Sequence, residues 1–346
     1  MMDRKGTRVS LGFGRVLTNA TKCKSVVKLL LLMCFSCSML LVIFITACVN
    51  DTTNQNNRQA PCNPSSNPLH QKTDKQLSAF LVVLIMSGPK LLEGRYTVRS
   101  TWLQNHGDEV IYRFVLGTSG LSSSDMNALE SEQKQYNDLL LLPDLKDSFN
   151  SLTSKLIKMM VWLDQNVDFK YLLKVDDDSF VRLDAMLHEL RSKSRVRLYW
   201  GFFDGRAHVH KNGKYAEADW VLCDRYIPFA VGGGYVLSND LVNFVATNAP
   251  VLKKYHAEDV SLGSWLAALD VHREHDPRFD TEYKSRGCRN SYIVTHKQSV
   301  QNMRGKYQQL QNIGQMCAKE QQFRMSYVYN WEKPPSECCE RVEGVP

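Results

Sequence analysis

The sequence predicts an α/β domain on a mostly parallel sheet, carried behind one apolar N-terminal helix. Three observations lead there. Short apolar runs alternate with segments of helical periodicity from residue 80 to residue 190. One of those runs ends on three consecutive aspartates, Asp176-Asp177-Asp178. Leu29 to Val49 is a stretch of 21 residues without a charge.

Taken in chain order, residues 1–28 read as a cytosolic tail. They carry seven basic residues against Asp3, a net of +6 in a chain whose total is +7. The other residues are therefore nearly neutral, which excludes a basic nucleic-acid-binding face. Residues 29–49 have the length of a membrane-spanning helix, about 1.5 Å per residue across a layer of roughly 30 Å. The basic flank keeps the N-terminus cytosolic and sends the rest to the lumenal side. A cleaved signal peptide is the rival reading, but its apolar region is shorter, about 7–15 residues. Residues 50–76 are rich in Asn, Gln, Pro, Ser and Thr and read as a stem unable to build a core. Asn50-Asp51-Thr52 fits a glycosylation sequon but abuts the membrane.

The globular part is expected over residues 77–346. Residues 80–87 (FLVVLIMS) form a buried strand ended by Gly88-Pro89. A helix follows from about 92 to 104, then a strand at 110–117. Ser122 to Asp125 offers an N-cap for a helix reaching Tyr136. A strand at 138–142, a helix through Leu152, Leu156, Met159, Met160 and Leu163, and a strand at 170–175 complete the regular half. Beyond it the pattern predicts strands near 198–203, 231–237, 270–275 and 292–296. Helices are expected near 183–190, 239–247, 259–269 and 299–312. In such sheets ligands sit past the carboxyl ends of the strands, where the aspartates lie.

Adjacent carboxylates repel, so they either face water or share a cation. Strand alternation puts Asp176 and Asp178 on one side and Asp177 on the other. Two oxygen donors on one side suit a hard divalent ion that also takes phosphate oxygens. The competing reading is an N-cap cluster for the helix at 183–190. Six cysteines lie beyond the anchor, and no Cys-x-x-Cys pair points to structural zinc. A lumenal domain permits disulfides, and Cys223 with Cys288 is the bridge expected. The adjacent Cys338-Cys339 pair has no sequence rationale.

Four blocks extend this reading: Arg95-Tyr96-Thr97-Val98-Arg99-Ser100-Thr101-Trp102, Lys174-Val175-Asp176-Asp177-Asp178-Ser179-Phe180, Gly232-Gly233-Gly234-Tyr235-Val236-Leu237-Ser238 and Glu258-Asp259-Val260-Ser261-Leu262-Gly263. In this order the region from 80 to 312 resembles the β1,3-glycosyltransferases of glycosyltransferase family 31. It departs from their pattern where a second arginine is usual, here Gly94 or Tyr96, and where Val231 stands before the first glycine.

The resemblance implies a GT-A fold, a UDP-sugar donor and Mn²⁺. It is strongest to members that extend the proteoglycan linkage region. That implies UDP-galactose as donor and the β-galactose of Gal-Xyl-Ser as acceptor, with inversion to a β1,3 linkage. It also implies a Golgi type II membrane enzyme, in possible association with other Golgi glycosyltransferases. N-acetylglucosamine transfer on the same motifs and an inactive, membrane-anchored glycan-binding relative are the alternatives.

By the same resemblance Asp178 ligates the metal, Asp176 meets the ribose or reaches the metal through water, and Asp177 orients its neighbours. His296 is a further metal or diphosphate contact, or a structural histidine. Asp259 is the base that inversion requires, with Glu258 as runner-up. From sequence alone Asp259 is equally an N-cap for the helix behind it. Arg95 and Arg99, four apart on one helix face, meet the UDP phosphates or uracil, or pair with Glu93 or Asp108 at the surface. The glycines admit close backbone approach or form a tight turn. Trp200 and Tyr235 are candidates for stacking on the acceptor, and Trp102 is expected in the core.

Overall fold

The computed structural model describes Lys75 and residues 77–346, apart from Tyr215. The tail, the anchor at 29–49, the Asn50 sequon and Cys62 lie outside the described residues. So does the stem, Lys75 excepted. Among the described residues no helix is long and apolar enough to cross a membrane.

The first half alternates as expected. Strand β1 (Leu77–Met86) leads to helix α1 (Leu92–Ser100), then β2 (Val110–Gly117), α2 (Ser123–Tyr136), β3 (Leu139–Leu142), α3 (Leu152–Asn166) and β4 (Val167–Asp176). Helix α1 stops at Ser100 rather than 104, because a turn hydrogen-bonded from Thr101 N–H to the Val98 carbonyl ends it. Ser122 caps α2 by accepting from Asp125 N–H at 3.1 Å. Short β5 (Phe180–Val181) and α4 (Leu183–Leu190) follow, then β6 (Leu198–Asp204), β7 (Phe229–Ser238), α5 (Asn239–Asn248) and α6 (Glu258–Trp265). The remainder is β8 (His272–His275), β9 (Phe279–Asp280), β10 (Gly287–Cys288), β11 (Val294–Thr295), α7 (Val300–Ile313) and β12 (Gln321–Gln322).

The main sheet runs in the order β3-β2-β1-β4-β7-β6-β8. Strands β1 to β4 pair in parallel, β7 is antiparallel to both β4 and β6, and β8 returns parallel to β6. The protein is thus a mixed α/β structure with a mostly parallel central sheet. A continuous run such as Leu81 to Ile85 is tolerated because both faces of the sheet are covered. Those five residues are fully buried, and each contributes about 1.5–3 kcal/mol of burial. Helix α3 packs on α5 and α6, and α1 packs on α7. The register sets Met86 of β1 beside Asp176 of β4, so the parallel strands end at a common edge.

A second, three-stranded sheet has the order β5-β11-β9. It is shorter than the strand expected at 292–296, because only Val294 and Thr295 find partners on both sides. Its role is to carry residues 296–298 to the end of β4.

Candidate active site

Past the carboxyl ends of the parallel strands lies a cleft of about 1080 Å³. Asp176 ends β4, and the chain turns there, with Ser179 N–H donating to the Asp176 carbonyl at 3.1 Å. Asp178 occupies that turn. Its carbonyl accepts from Gln298 N–H at 2.8 Å, which brings the segment after β11 alongside. His296 Nε2 then lies 3.0 Å from Asp178 Oδ1 and 3.3 Å from Asp176 Oδ2. Asp178 Oδ1 and both ring nitrogens of His296 are buried without a hydrogen-bond partner. Ligand atoms of the three residues lie within 4.8 Å of one another. Close approach without hydrogen-bond alignment is what donors aimed at a common centre give. Two carboxylates and an imidazole fit a divalent cation. His296 faces both carboxylates. Burial lowers its pKa, but Asp176 and Asp178 outweigh that and push it up to about 9.

The N-cap alternative for the acidic run falls away. Helix α4 has Arg182 at its N-cap position and no side-chain cap. Asp177 points elsewhere, as strand alternation requires, and accepts from Ser87 Oγ at 2.6 Å. Burial, and then the charges of Asp176 and Asp178 against the Ser87 hydrogen bond, push its carboxyl up to about 6.

Glu258 and Asp259 open α6 beside β7. The N-cap position is Ala257, so Asp259 sits within the first turn rather than capping it. Its Oδ2 accepts from Gly232 N–H and its Oδ1 from Val260 N–H, each at 2.9 Å. It lines the cleft. Burial, reinforced by the charge of Glu258, pushes its carboxyl up to about 7. Glu258 is engaged differently, with Oε1 2.9 Å from the Lys174 ammonium. That same ammonium donates to Asp176 Oδ1 at 2.8 Å and to the Gly232 carbonyl. Lys174 had no assigned role in the sequence, although it stands inside one of the four blocks.

The glycine block is neither a turn nor an open cradle. It runs through β7. A Cβ on Gly232 would lie 2.5 Å from Glu258 Oε1, and one on Gly233 would lie 2.4 Å from His296 Nδ1. Side chains from two other elements use the space that these glycines leave.

Several expected contacts are corrected. Arg95 is buried, and its fork holds Glu132 at 2.6 and 2.8 Å. Its Nη1 donates to the Gly88 carbonyl at 2.6 Å and to Ser87 Oγ at 3.2 Å. Arg99 bridges Glu132 and Asp138 at 2.7–2.8 Å. Neither lines the cleft, and neither pairs with Glu93 or Asp108. Arg95 braces the segment after β1 from behind, and Arg99 ties α2 to the start of β3, because helix α1 turns that face toward them. Trp200 and Tyr235 are fully buried and cannot stack on a ligand. Trp102 is in the core as expected, with its indole N–H on the Ser179 carbonyl at 3.0 Å. Cys288 bonds Cys317 rather than Cys223, which is an exposed free thiol. Cys338 bonds its neighbour Cys339.

A galactosyltransferase family model matches residues 93–277. Beta-1,3-galactosyltransferase 6 of Mus musculus is 56% identical over 275 residues, which cover 78% of this chain and 85% of that protein. UDP-GalNAc:beta-1,3-N-acetylgalactosaminyltransferase 2 of Xenopus laevis is 32% identical over 194 residues, 56% of this chain but only 39% of that protein. Among solved structures, the bifunctional glycosyltransferase WbbM aligns with a TM-score of 0.36 at 16% identity, over 62% of this chain and 40% of that one. On the extent of the family match and the identity to the mouse enzyme, the chain belongs to the galactosyltransferase family and is a glycosyltransferase.

Proposed function

We propose that this chain transfers galactose from UDP-α-galactose, with inversion, to form a β1,3 linkage. The acceptor is the terminal β-galactose of Gal-Xyl-Ser, from which heparan and chondroitin sulfate chains grow. The fold read here is GT-A. One juxtaposition carries the reading. A cation-ready set of Asp176, Asp178 and His296 and a carboxylate with its pKa pushed up to about 7, Asp259, share one cleft.

Asp178, His296 and Asp176 would hold Mn²⁺, with Asp176 nearest the nucleotide. When bound, that ion acts as a Lewis acid that offsets charge on the departing UDP. Asp259 takes the proton from the acceptor hydroxyl as its oxygen attacks the anomeric carbon and the bond to UDP breaks. Two backbone N–H groups hold the Asp259 carboxylate in place. Glu258 is the weaker choice of base because Lys174 already neutralises it. The 29–49 stretch would anchor the enzyme as a type II protein in the Golgi membrane, in association with other Golgi glycosyltransferases.

The test is a donor-by-acceptor assay of the purified protein with UDP-galactose, UDP-N-acetylglucosamine and UDP-N-acetylgalactosamine, with and without Mn²⁺. Metal-dependent galactose transfer to a β-galactosyl-xyloside is expected. No transfer to that acceptor would refute the proposal. Asp178→Ala should lose metal-dependent turnover while staying folded. Asp259→Asn should keep UDP binding and lose transfer.

A further inference from the structure

The chemistry above leaves one wall of the cleft without a task. In sheet order β4 and β7, which carry Asp176 and Gly232, separate β1 from β6. Segments that follow β1 and β2, such as Ser87–Leu91 and Ser119–Leu121, line one flank of the cleft. The other flank comes from the end of β6 and from the loop after β9, which packs near β6. That loop is Thr281-Glu282-Tyr283. It starts beside the metal-ready residues, since His296 N–H donates to the Asp280 carbonyl at 3.0 Å.

Three features of this loop point to a ligand. Tyr283 lines the cleft yet is 71% exposed. A solitary exposed aromatic needs no explanation, but this one is braced. The Arg324 guanidinium sits 5.0 Å from its ring centroid, a cation–π distance. Arg324 also lies 3.7 Å from the Glu282 carboxylate, which Arg286 at 3.6 Å and Arg341 clamp further. The C-terminal segment thus fixes the loop that presents the ring. Finally, Thr281 is buried, lines the cleft, and its Oγ1 has no hydrogen-bond partner among the described residues. A buried hydroxyl left unpaired costs about 1–3 kcal/mol, and a ligand hydroxyl would relieve that cost.

A pyranose ring has an apolar C–H face and a rim of hydroxyls. An aromatic ring next to an unpaired hydroxyl complements both. We propose that Tyr283 and Thr281 form the acceptor subsite, the ring stacking on a sugar face and Thr281 Oγ1 bonding a sugar hydroxyl. Its exposure at the edge of the cleft suits the acceptor, a glycan that continues into solvent, and separate KM values distinguish it from the donor. This rests on the reading of the cleft as a galactosyl-transfer site.

The experiment measures KM for acceptor and donor separately, with the full chain, UDP-galactose and a β-galactosyl-xyloside. Tyr283→Ala should raise the acceptor KM about five- to tenfold, the value of one aromatic contact, and leave the UDP-galactose KM within about twofold. Tyr283→Phe and Tyr283→Trp should restore the acceptor KM. Arg324→Ala, which frees the ring, should give a smaller rise in the same constant. An unchanged acceptor KM in Tyr283→Ala would overturn the subsite, as would an equal rise in the donor KM. A wild type that transfers galactose to no β-galactoside sinks the functional reading, and the subsite with it. A wild type that transfers while Tyr283→Ala matches it sinks the subsite alone.

Discussion

The Lys174 ammonium lies 2.9 Å from Glu258 Oε1, joining the end of β4 to the start of α6 through a residue only 1% exposed. It also contacts Asp176 Oδ1 at 2.8 Å. Burial alone would lower the lysine pKa, yet Asp176 and Glu258 outweigh it and hold the ammonium charged well above its usual range. Lys174→Met would leave Glu258 without its cation and Asp176 with only His296, a loss of about 3–5 kcal/mol. Urea denaturation of the purified variant should show a lowered midpoint. An unchanged midpoint would mean that the lysine holds nothing together.

Asp259 should trade stability for reactivity. Its folded pKa is raised to about 7 by burial and by Glu258. A carboxyl raised on folding contributes stability that is complete below its unfolded value, about 4. That contribution is lost as pH climbs toward 7. Asp259→Asn keeps an acceptor oxygen for Gly232 N–H, gives up the bond from Val260 N–H, and carries no charge to bury. It should therefore be more stable than wild type at pH 8, by on the order of 2 kcal/mol, and melt higher, while transferring no sugar. In the wild type, kcat/KM should rise with pH through about 7 as Asp259 ionises. A melting point below wild type at pH 8 would contradict the assignment.

Cation binding should carry a pH signature. His296 is pushed up to about 9 beside Asp176 and Asp178, and an imidazolium must lose its proton before it can ligate. Mn²⁺ affinity should weaken roughly tenfold per pH unit from 8 down to 6. Calorimetry in buffers of different ionisation enthalpy would register the released proton. His296→Gln should bind more weakly with a flatter profile. A flat profile in the wild type would remove His296 from the ligand set.

The Cys288–Cys317 bridge closes a loop across 29 residues, from β10 to the chain beyond α7. Loops of that size are worth about 3–4 kcal/mol. Cys317→Ser should lose a stabilisation of that order in chemical denaturation. Peptide mapping without reduction should recover 288 linked to 317 and Cys223 open to alkylation. A 223–288 peptide would restore the pairing expected from sequence.

Much of the first half was legible because its signals are local. Alternation of apolar runs and helical spacing placed β1, β2, α2, β3 and α3 to within a few residues, and Ser122 announced its own cap. The period of two along a strand also separated Asp177 from Asp176 and Asp178, since that separation follows from backbone geometry alone. The shorter strands of the second half depend on partners, so β11 kept only the two residues that pair.

The sequence by itself determined the alternating order of elements, the acidic run at a strand end and the four ordered blocks that mark the family. Only the tertiary structure decided what those residues face. Arg95 and Arg99 found Glu132 and Asp138, more than thirty positions away, and so serve the scaffold behind the cleft. Gly232 and Gly233 proved to make room for Glu258 and His296, side chains from elsewhere in the chain. Such contacts depend on strand register and on which face each element turns inward. Those are fixed by packing across the whole molecule, and no window of the sequence contains them.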